Sequence, residues 1–272
     1  MNNLLDIINR CSTFLLDASG VIYCDYIPVP GVQKAIQAMQ KKGPVFIVTN
    51  NSFQDPKTIS ENLLKMDIPI SETNIISSGH GLQHDQTIFN AIKNKNVYVF
   101  GSQNSHHYVY KAECKNIVAN LEEAECVVLT SSFRDHTDER LKPITKFLQK
   151  NPIPTICCNP DNIVLTEQGL RPVIGYFAKK IEKELGQSFY WVGKPFQNFS
   201  SLVGKILTER NIPLTKEICF FDDNIENVHA LQTHLGLSGC WITETGISKN
   251  INIPLTQKTL SQSHYILPSL SL

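Results

Sequence analysis

The stretch STFLLDASGVIY, residues 12–23, sets the reading of the whole chain. An apolar run, Phe14 to Leu16, ends in a single carboxylate, Asp17, and the chain then breaks at Gly20. A short continuous apolar run is what a strand buried on both faces of a parallel sheet requires. A carboxylate at its C-terminal end lies where such sheets gather ligands. The following segment, PGVQKAIQAMQKKG (30–43), spaces Val32, Ala35, Ile36 and Met39 as one helical face, and Gly43 stops it. VFIVT (45–49) is a second buried strand. Asp55 before Pro56 reads as an N-cap and first helical position, with Ile59, Leu63 and Met66 lining the helix that follows.

This strand–helix–strand rhythm predicts an α/β protein with a parallel sheet, and it continues. VYVFG (97–101), CVVLTSS (126–132) and TICC (155–158) read as strands. DERLKPITKFLQK (138–150) reads as helical, with Pro143 expected to disturb or delay it. IGYFAKKIEKELG (174–186) is a helix with Ile174, Phe177, Ile181 and Leu185 on one face and Gly186 closing it. YWVG (190–193), EICFFDD (217–223), GCWIT (239–243) and HYILP (264–268) are further strands, with helices over roughly 198–210 and 225–235 between them. Residues 247–263 are polar and aperiodic and read as a long surface connection.

Composition narrows the function classes. The formal net charge is zero, so no basic surface for nucleic acid and no polybasic membrane patch is expected. No apolar run reaches the ~18 residues of a membrane span. The start, MNNLLDIINR, lacks the charged and apolar regions of a signal peptide. The eight cysteines form no CxxC pair and sit mostly in apolar runs such as TICC and ICFF, which predicts reduced, buried thiols and a cytoplasmic setting. The chain stops at YILPSLSL, soon after its last strand, where a closing helix is expected; that ending fits a truncated chain.

Polar residues just past each strand define the candidate site: Asp17 and Ser19; Thr49, Asn50 and Asn51; Gly193 and Lys194; Asp222 and Asp223. One lysine, three aspartates and a hydroxyl in one crevice suit a phosphoryl group and a hard divalent ion such as Mg²⁺, which takes carboxylate oxygens, waters and phosphate. Arg134 is a candidate anion binder, against the plainer account of a solvated charge run. Asn159 and Asp161 are candidates for substrate contact, although turn chemistry explains them almost as well. His106 and His107 read as surface residues, and Cys157 and Cys158 as core.

The order of these elements carries a resemblance. LLDASGV, IVTNNS, VGKP and FFDDNIENVHA look like motifs I to IV of the haloacid-dehalogenase-type phosphohydrolases, and together they span residues 12 to 230. The long interval from Thr49 to Lys194 matches the class with an α/β cap between motifs II and III, and ICCNPDNIVL resembles the NPD segment of its NagD-like branch. The resemblance implies a Rossmann-like core of residues 1–77 and 191–272 with a C2-type cap at 78–190. It implies that Asp17 is a nucleophile forming an aspartyl-phosphate. Mg²⁺ would be held by Asp17, the Ser19 carbonyl and Asp222, supported by Asp223. Thr49 and Lys194, with Asn50 and Gly20 beside them, would bind the phosphoryl group. Asn227 stands where some members carry another aspartate.

The resemblance departs at Ser19. The typical motif has Asp there, which protonates the leaving alcohol and then activates water. A serine hydroxyl does neither at neutral pH, and positioned acid–base catalysis is worth roughly 10²–10⁴-fold. The expectation is a Mg²⁺-dependent phosphomonoesterase that favours good leaving groups: a phenol, with pKa about 10, over an alkyl alcohol. Aryl phosphates, phosphotyrosine among them, are then expected to outrun sugar phosphates. The alternatives are a degenerate module that holds phosphate and Mg²⁺ with little turnover, and a phosphotransferase with a longer-lived aspartyl-phosphate. Dehalogenation needs no Mg²⁺ and does not explain Asp222–Asp223, and no cap lysine stands out for a Schiff-base route.

Overall fold

A computed structural model describes residues 3–130, 137–249 and 262–272. The chain enters with β1 (Thr13–Leu16), turns through a small hairpin, β2 (Tyr23–Cys24) and β3 (Ile27–Pro28), and resumes with β4 (Val45–Thr49) and β5 (Ile75–Ser77). A second unit follows: β6 (Asn96–Phe100), β7 (Asn116–Val118), β8 (Cys126–Leu129), β9 (Thr155–Cys157), the hairpin β10 (Ile163–Thr166) and β11 (Gly169–Pro172), and β12 (Tyr190–Trp191). The chain then returns with β13 (Ile218–Asp222), β14 (Ser238–Ile242) and β15 (Tyr265–Leu267).

The first sheet has six strands in the order β15-β14-β13-β1-β4-β5, every neighbouring pair parallel. Its central strands are buried along their whole length because helices cover both faces. Alternate residues divide between two cores. Phe14, Leu16, Val45 and Ile47 face the helices Leu4–Arg10, Val32–Lys42 and Pro56–Leu64. Leu15, Phe46, Val48 and Phe220 face Phe199, Val203 and Leu231 of the helices Gln197–Glu209 and Ile225–Leu235. Strands β1, β4 and β13 lie side by side, so the residues after their carboxyl ends converge at the point where the connections diverge to opposite sides of the sheet.

The second sheet, β12-β9-β8-β6-β7, is also wholly parallel. Trp191, assigned from sequence to the returning core, pairs with Cys157 in this sheet instead. The hairpin β10–β11 stands apart from both sheets and packs against the turn Gly246–Lys249 of the first unit.

Local chemistry accounts for most element ends. The Asp55 carboxylate accepts from Thr58 N at 2.8 Å and Pro56 opens the helix; Gly186 closes its helix in the left-handed region. Met66 lies past the end of the Pro56–Leu64 helix rather than on it, still buried. The helix Asp138–Lys150 runs unbroken through Pro143. A proline inside a helix costs about 3 kcal/mol, but Leu141, Ile144 and Leu148 are all buried on that helix, each contributing about 1.5–3 kcal/mol. All eight cysteines are free; Cys24 and Cys114 are partly exposed and the other six buried. No helix of the described residues is long and apolar enough to cross a membrane.

Candidate active site

Lys194 is the centre of the cluster. Its ammonium is buried and donates to Asp17 Oδ1 at 2.7 Å, Asp222 Oδ2 at 2.7 Å and the Val48 carbonyl at 2.9 Å. Those three bonds use all of its N–H groups. What Lys194 offers an incoming anion is therefore charge; a direct N–H bond requires one of the three to be released. Its backbone is clasped by Asn50, whose Oδ1 accepts from Lys194 N at 2.8 Å and whose Nδ2 donates to Lys194 O at 3.0 Å. The Asn50 side chain, a phosphate-binding candidate by sequence, uses its Oδ1 and one Nδ2 N–H to hold the lysine and also bonds Asp161.

Asp17, Asp222 and Asp223 each present an oxygen within 4.8 Å of the others. Asp222 accepts from Asn224 N at 2.7 Å and from Asn227 Nδ2 at 3.3 Å on both oxygens. Asp223 accepts from Ile247 N at 2.6 Å. Its carbonyl accepts from Trp241 Nε1 at 3.1 Å and from the Ser248 hydroxyl. Gly20 and Gly246 make room for this carboxylate: a Cβ would lie 2.3 Å from Asp223 Oδ2 at Gly20 and 1.9 Å from it at Gly246, and both have positive φ (88° and 66°). The Gly20 N–H, expected to face phosphate, donates instead to Tyr23 O at 2.7 Å. Its role here is to admit Asp223.

Burial dominates the electrostatics. It pushes Asp17 up to about 7, with Lys194 opposing and Asp222 adding to the rise. It pushes Asp223 well above the carboxylate range, reinforced by Asp222 and Asp17. Burial alone pulls the Lys194 ammonium down, but Asp17, Asp222 and Asp161 together hold it above its ordinary value. The groups titrate as a unit: three buried carboxylates share one ammonium, a deficit of positive charge that burial makes costly. A divalent ion with hard oxygen ligands fits that deficit. So does Asn227, whose buried Oδ1 has no hydrogen-bond partner among the described residues.

These groups open onto a cleft of about 890 Å³ including its mouth, lined by Asp17, Ser19, Thr49, Asn50, Asn159, Asp161 and Asp223 among others. Thr49 Oγ1 accepts from Asn51 N at 3.2 Å, leaving its proton to donate. Asp161 keeps partial exposure into the cleft although protein surrounds it; burial raises it to about 6 against the pull of Lys194 and Asn50. Asn159 caps the same turn, accepting from Asp161 N at 3.0 Å. Arg134 lies outside the described residues. His106 and His107 open the helix His106–Lys111 and do not line the cleft.

Residues 14–115 match the model of a family described as haloacid dehalogenase-like hydrolases. The chain has the haloacid dehalogenase fold. An acid sugar phosphatase of Staphylococcus aureus is 27% identical over 189 residues, covering 69% of this chain and 71% of that protein. Among solved structures, a possible sugar phosphatase from Cytophaga hutchinsonii superposes with a TM-score of 0.79 at 22% identity over 100% of this chain and 98% of its own. A 4-nitrophenylphosphatase from Thermotoga maritima gives 0.72 at 19% identity, covering 97% of each chain.

Sequence reasoning missed several residues around this centre. Tyr23, Tyr26, Phe53, Ile163, Val164, Leu165 and Ile247 all line the cleft. A run of three apolar residues, Ile163–Leu165, with three residues between it and Gly169, was the available sign of the β10–β11 hairpin. Nothing local marked Ile247, which sits in the segment read as a surface connection and donates to Asp223. Residues 250–261 of that segment lie outside the described residues.

Proposed function

We propose that the protein is a Mg²⁺-dependent phosphomonoesterase acting through Asp17. The observation that carries this reading is the buried Asp17–Lys194–Asp222 bridge, 2.7 Å on each side, opening onto a cleft with Asp223 close enough to share an ion. The phosphatase relatives support it. A bound Mg²⁺, held by Asp17, Asp222 and Asp223 with the Ser19 carbonyl, would neutralise the carboxylates and draw in the phosphoryl group. With that charge balanced, Asp17 is ionised, and its carboxylate attacks phosphorus while the ester P–O bond breaks. Lys194 fixes the Asp17 carboxylate and stabilises the charge of the transferring group. The Thr49 hydroxyl donates to a phosphoryl oxygen. Asn50 keeps Lys194 in register, and the Asn159–Asp161 turn borders the leaving-group space. Water then cleaves the aspartyl-phosphate, returning Asp17.

Ser19 supplies no proton to the departing oxygen, so the enzyme favours leaving groups stable as anions, aryl over alkyl. The test is a panel of phosphomonoesters with Mg²⁺. Turnover that disappears with EDTA and in Asp17→Asn, with phenyl phosphate ahead of an alkyl phosphate in kcat, is expected. Tight phosphate and Mg²⁺ binding without turnover of any ester would assign the chain to a binding role.

A further inference from the structure

Two hairpins bring aromatic and aliphatic side chains to the cleft, beside its polar lining. The β2–β3 hairpin contributes Tyr23 and Tyr26, the loop after β4 adds Phe53, and β10 adds Ile163, Val164 and Leu165. The turn of the first hairpin is unusual. Cys24 pairs with Ile27, so Asp25 and Tyr26 alone make the turn, and both have positive φ, 47° and 67°. Two-residue turns of this kind prefer Asn-Gly or Asp-Gly, because a side chain at positive φ is unfavourable. A residue held there against local preference points to a role beyond closing the turn.

The conformation folds the Tyr26 ring back onto Tyr23, centroids 5.4 Å apart and planes 12° from parallel. The Tyr26 hydroxyl donates to Gln54 Oε1 at 3.4 Å, and Gln54 Oε1 also accepts from Asn51 Nδ2 at 3.0 Å. The ring is thereby tied to the loop that carries Thr49 and Asn50. We propose that Tyr26, backed by Tyr23, is a stacking platform for an aromatic ring in the leaving group. The substrate class is then phosphomonoesters of aryl and aralkyl alcohols. The proposal rests on the phosphomonoesterase reading but is separate from Ser19: it concerns recognition of the ring, not the stability of the departing anion.

The test separates the two. 2-Phenylethyl phosphate and 2-cyclohexylethyl phosphate both release an alkyl alcohol and differ in aromaticity. With Mg²⁺, the wild type should favour the phenyl compound in kcat/KM by roughly 2- to 13-fold, the range of an aromatic pair. Tyr26→Gly should bring the ratio close to one while keeping the hairpin closed, since Asp-Gly suits the turn. Tyr26→Phe should retain the ratio. A wild-type ratio of one, or a ratio unchanged in Tyr26→Gly whatever its melting temperature, overturns the proposal. If the wild type turns over neither ester, calorimetric binding of benzylphosphonate against cyclohexylmethylphosphonate measures the same preference, and equal Kd values overturn the platform; the phosphomonoesterase reading itself fails only if phenyl phosphate is not turned over either.

Discussion

Asp17→Asn should make the metal-free protein more stable while removing its catalysis. At about 1.4 kcal/mol per pH unit, a carboxyl carried from an ordinary 3.8 to about 7 costs the folded state ~4 kcal/mol by pH 8. Burial sets the direction of that shift, and Lys194, although 2.7 Å away, only reduces it. The neighbouring charges of Asp223 and Lys194 share in the titration, so the measurable share is ~1–4 kcal/mol. The sign follows from proton counting. Between pH 3.8 and about 7 the folded protein holds a proton at Asp17 that the unfolded chain has lost, so stability falls as pH rises through that window. Asparagine cannot titrate and removes this part of the slope. Urea unfolding in EDTA from pH 5 to pH 8 should show wild-type stability declining with pH, and the Asn variant flatter and more stable at the upper end. Adding Mg²⁺ should raise the wild-type midpoint more than the variant's. If the variant is instead the less stable protein at pH 8 without metal, the ion pair with Lys194 outweighs desolvation, and the account of a charge-deficient site is wrong.

Two other substitutions probe the same cluster. Ser19→Asp restores a carboxyl beside the nucleophile and should raise kcat on an alkyl phosphate by about 10²-fold, with a smaller gain on phenyl phosphate; equal gains on both would separate Ser19 from leaving-group protonation. Gly20→Ala places a Cβ 2.3 Å from Asp223 Oδ2 at a positive φ, and should weaken Mg²⁺ affinity at least tenfold by calorimetry, about 1.4 kcal/mol, with a loss of melting temperature beside it. An Ala variant with wild-type Mg²⁺ affinity would remove Asp223 from the ion's surroundings.

The sheet core was legible because its strands are buried on both faces, so periodicity was not needed to see VFIVT or ICFF; continuous apolar runs sufficed. The Asp17, Thr49 and Asp222 positions followed, since a parallel sheet brings its strand ends to one edge; Lys194 reaches them from beyond the end of β12 in the second sheet. Less legible were contacts between residues far apart in the chain. Asn50 looked like a phosphate ligand next to Thr49, yet its amide is matched to the backbone of Lys194, 144 residues away. Gly20 looked like a phosphate loop, yet its missing Cβ serves Asp223. The hairpin β2–β3 escaped notice because CDYI lacks the glycine that normally announces a two-residue turn.

That last omission bears on the chemistry. The segment from Asp17 to Tyr26 carries the nucleophile, the serine where a carboxylic acid is expected, and a tyrosine in a turn built for glycine. Under the proposed function, all three meet the ester from one short stretch of chain. Asp17 addresses phosphorus, Ser19 leaves the departing oxygen without a proton donor, and Tyr26 addresses the group attached to that oxygen. A site that cannot protonate a poor leaving group gains from selecting a good one, and stacking on a ring is a selection that needs no acid. A sugar phosphate would present an alkoxide to expel, beside a wall of Tyr23, Tyr26, Phe53 and Ile163 that gives a ring more than it gives a hydroxyl. The two departures reinforce each other only if they act on one leaving group. A Ser19→Asp, Tyr26→Gly double variant should therefore lose more aryl preference than either single change.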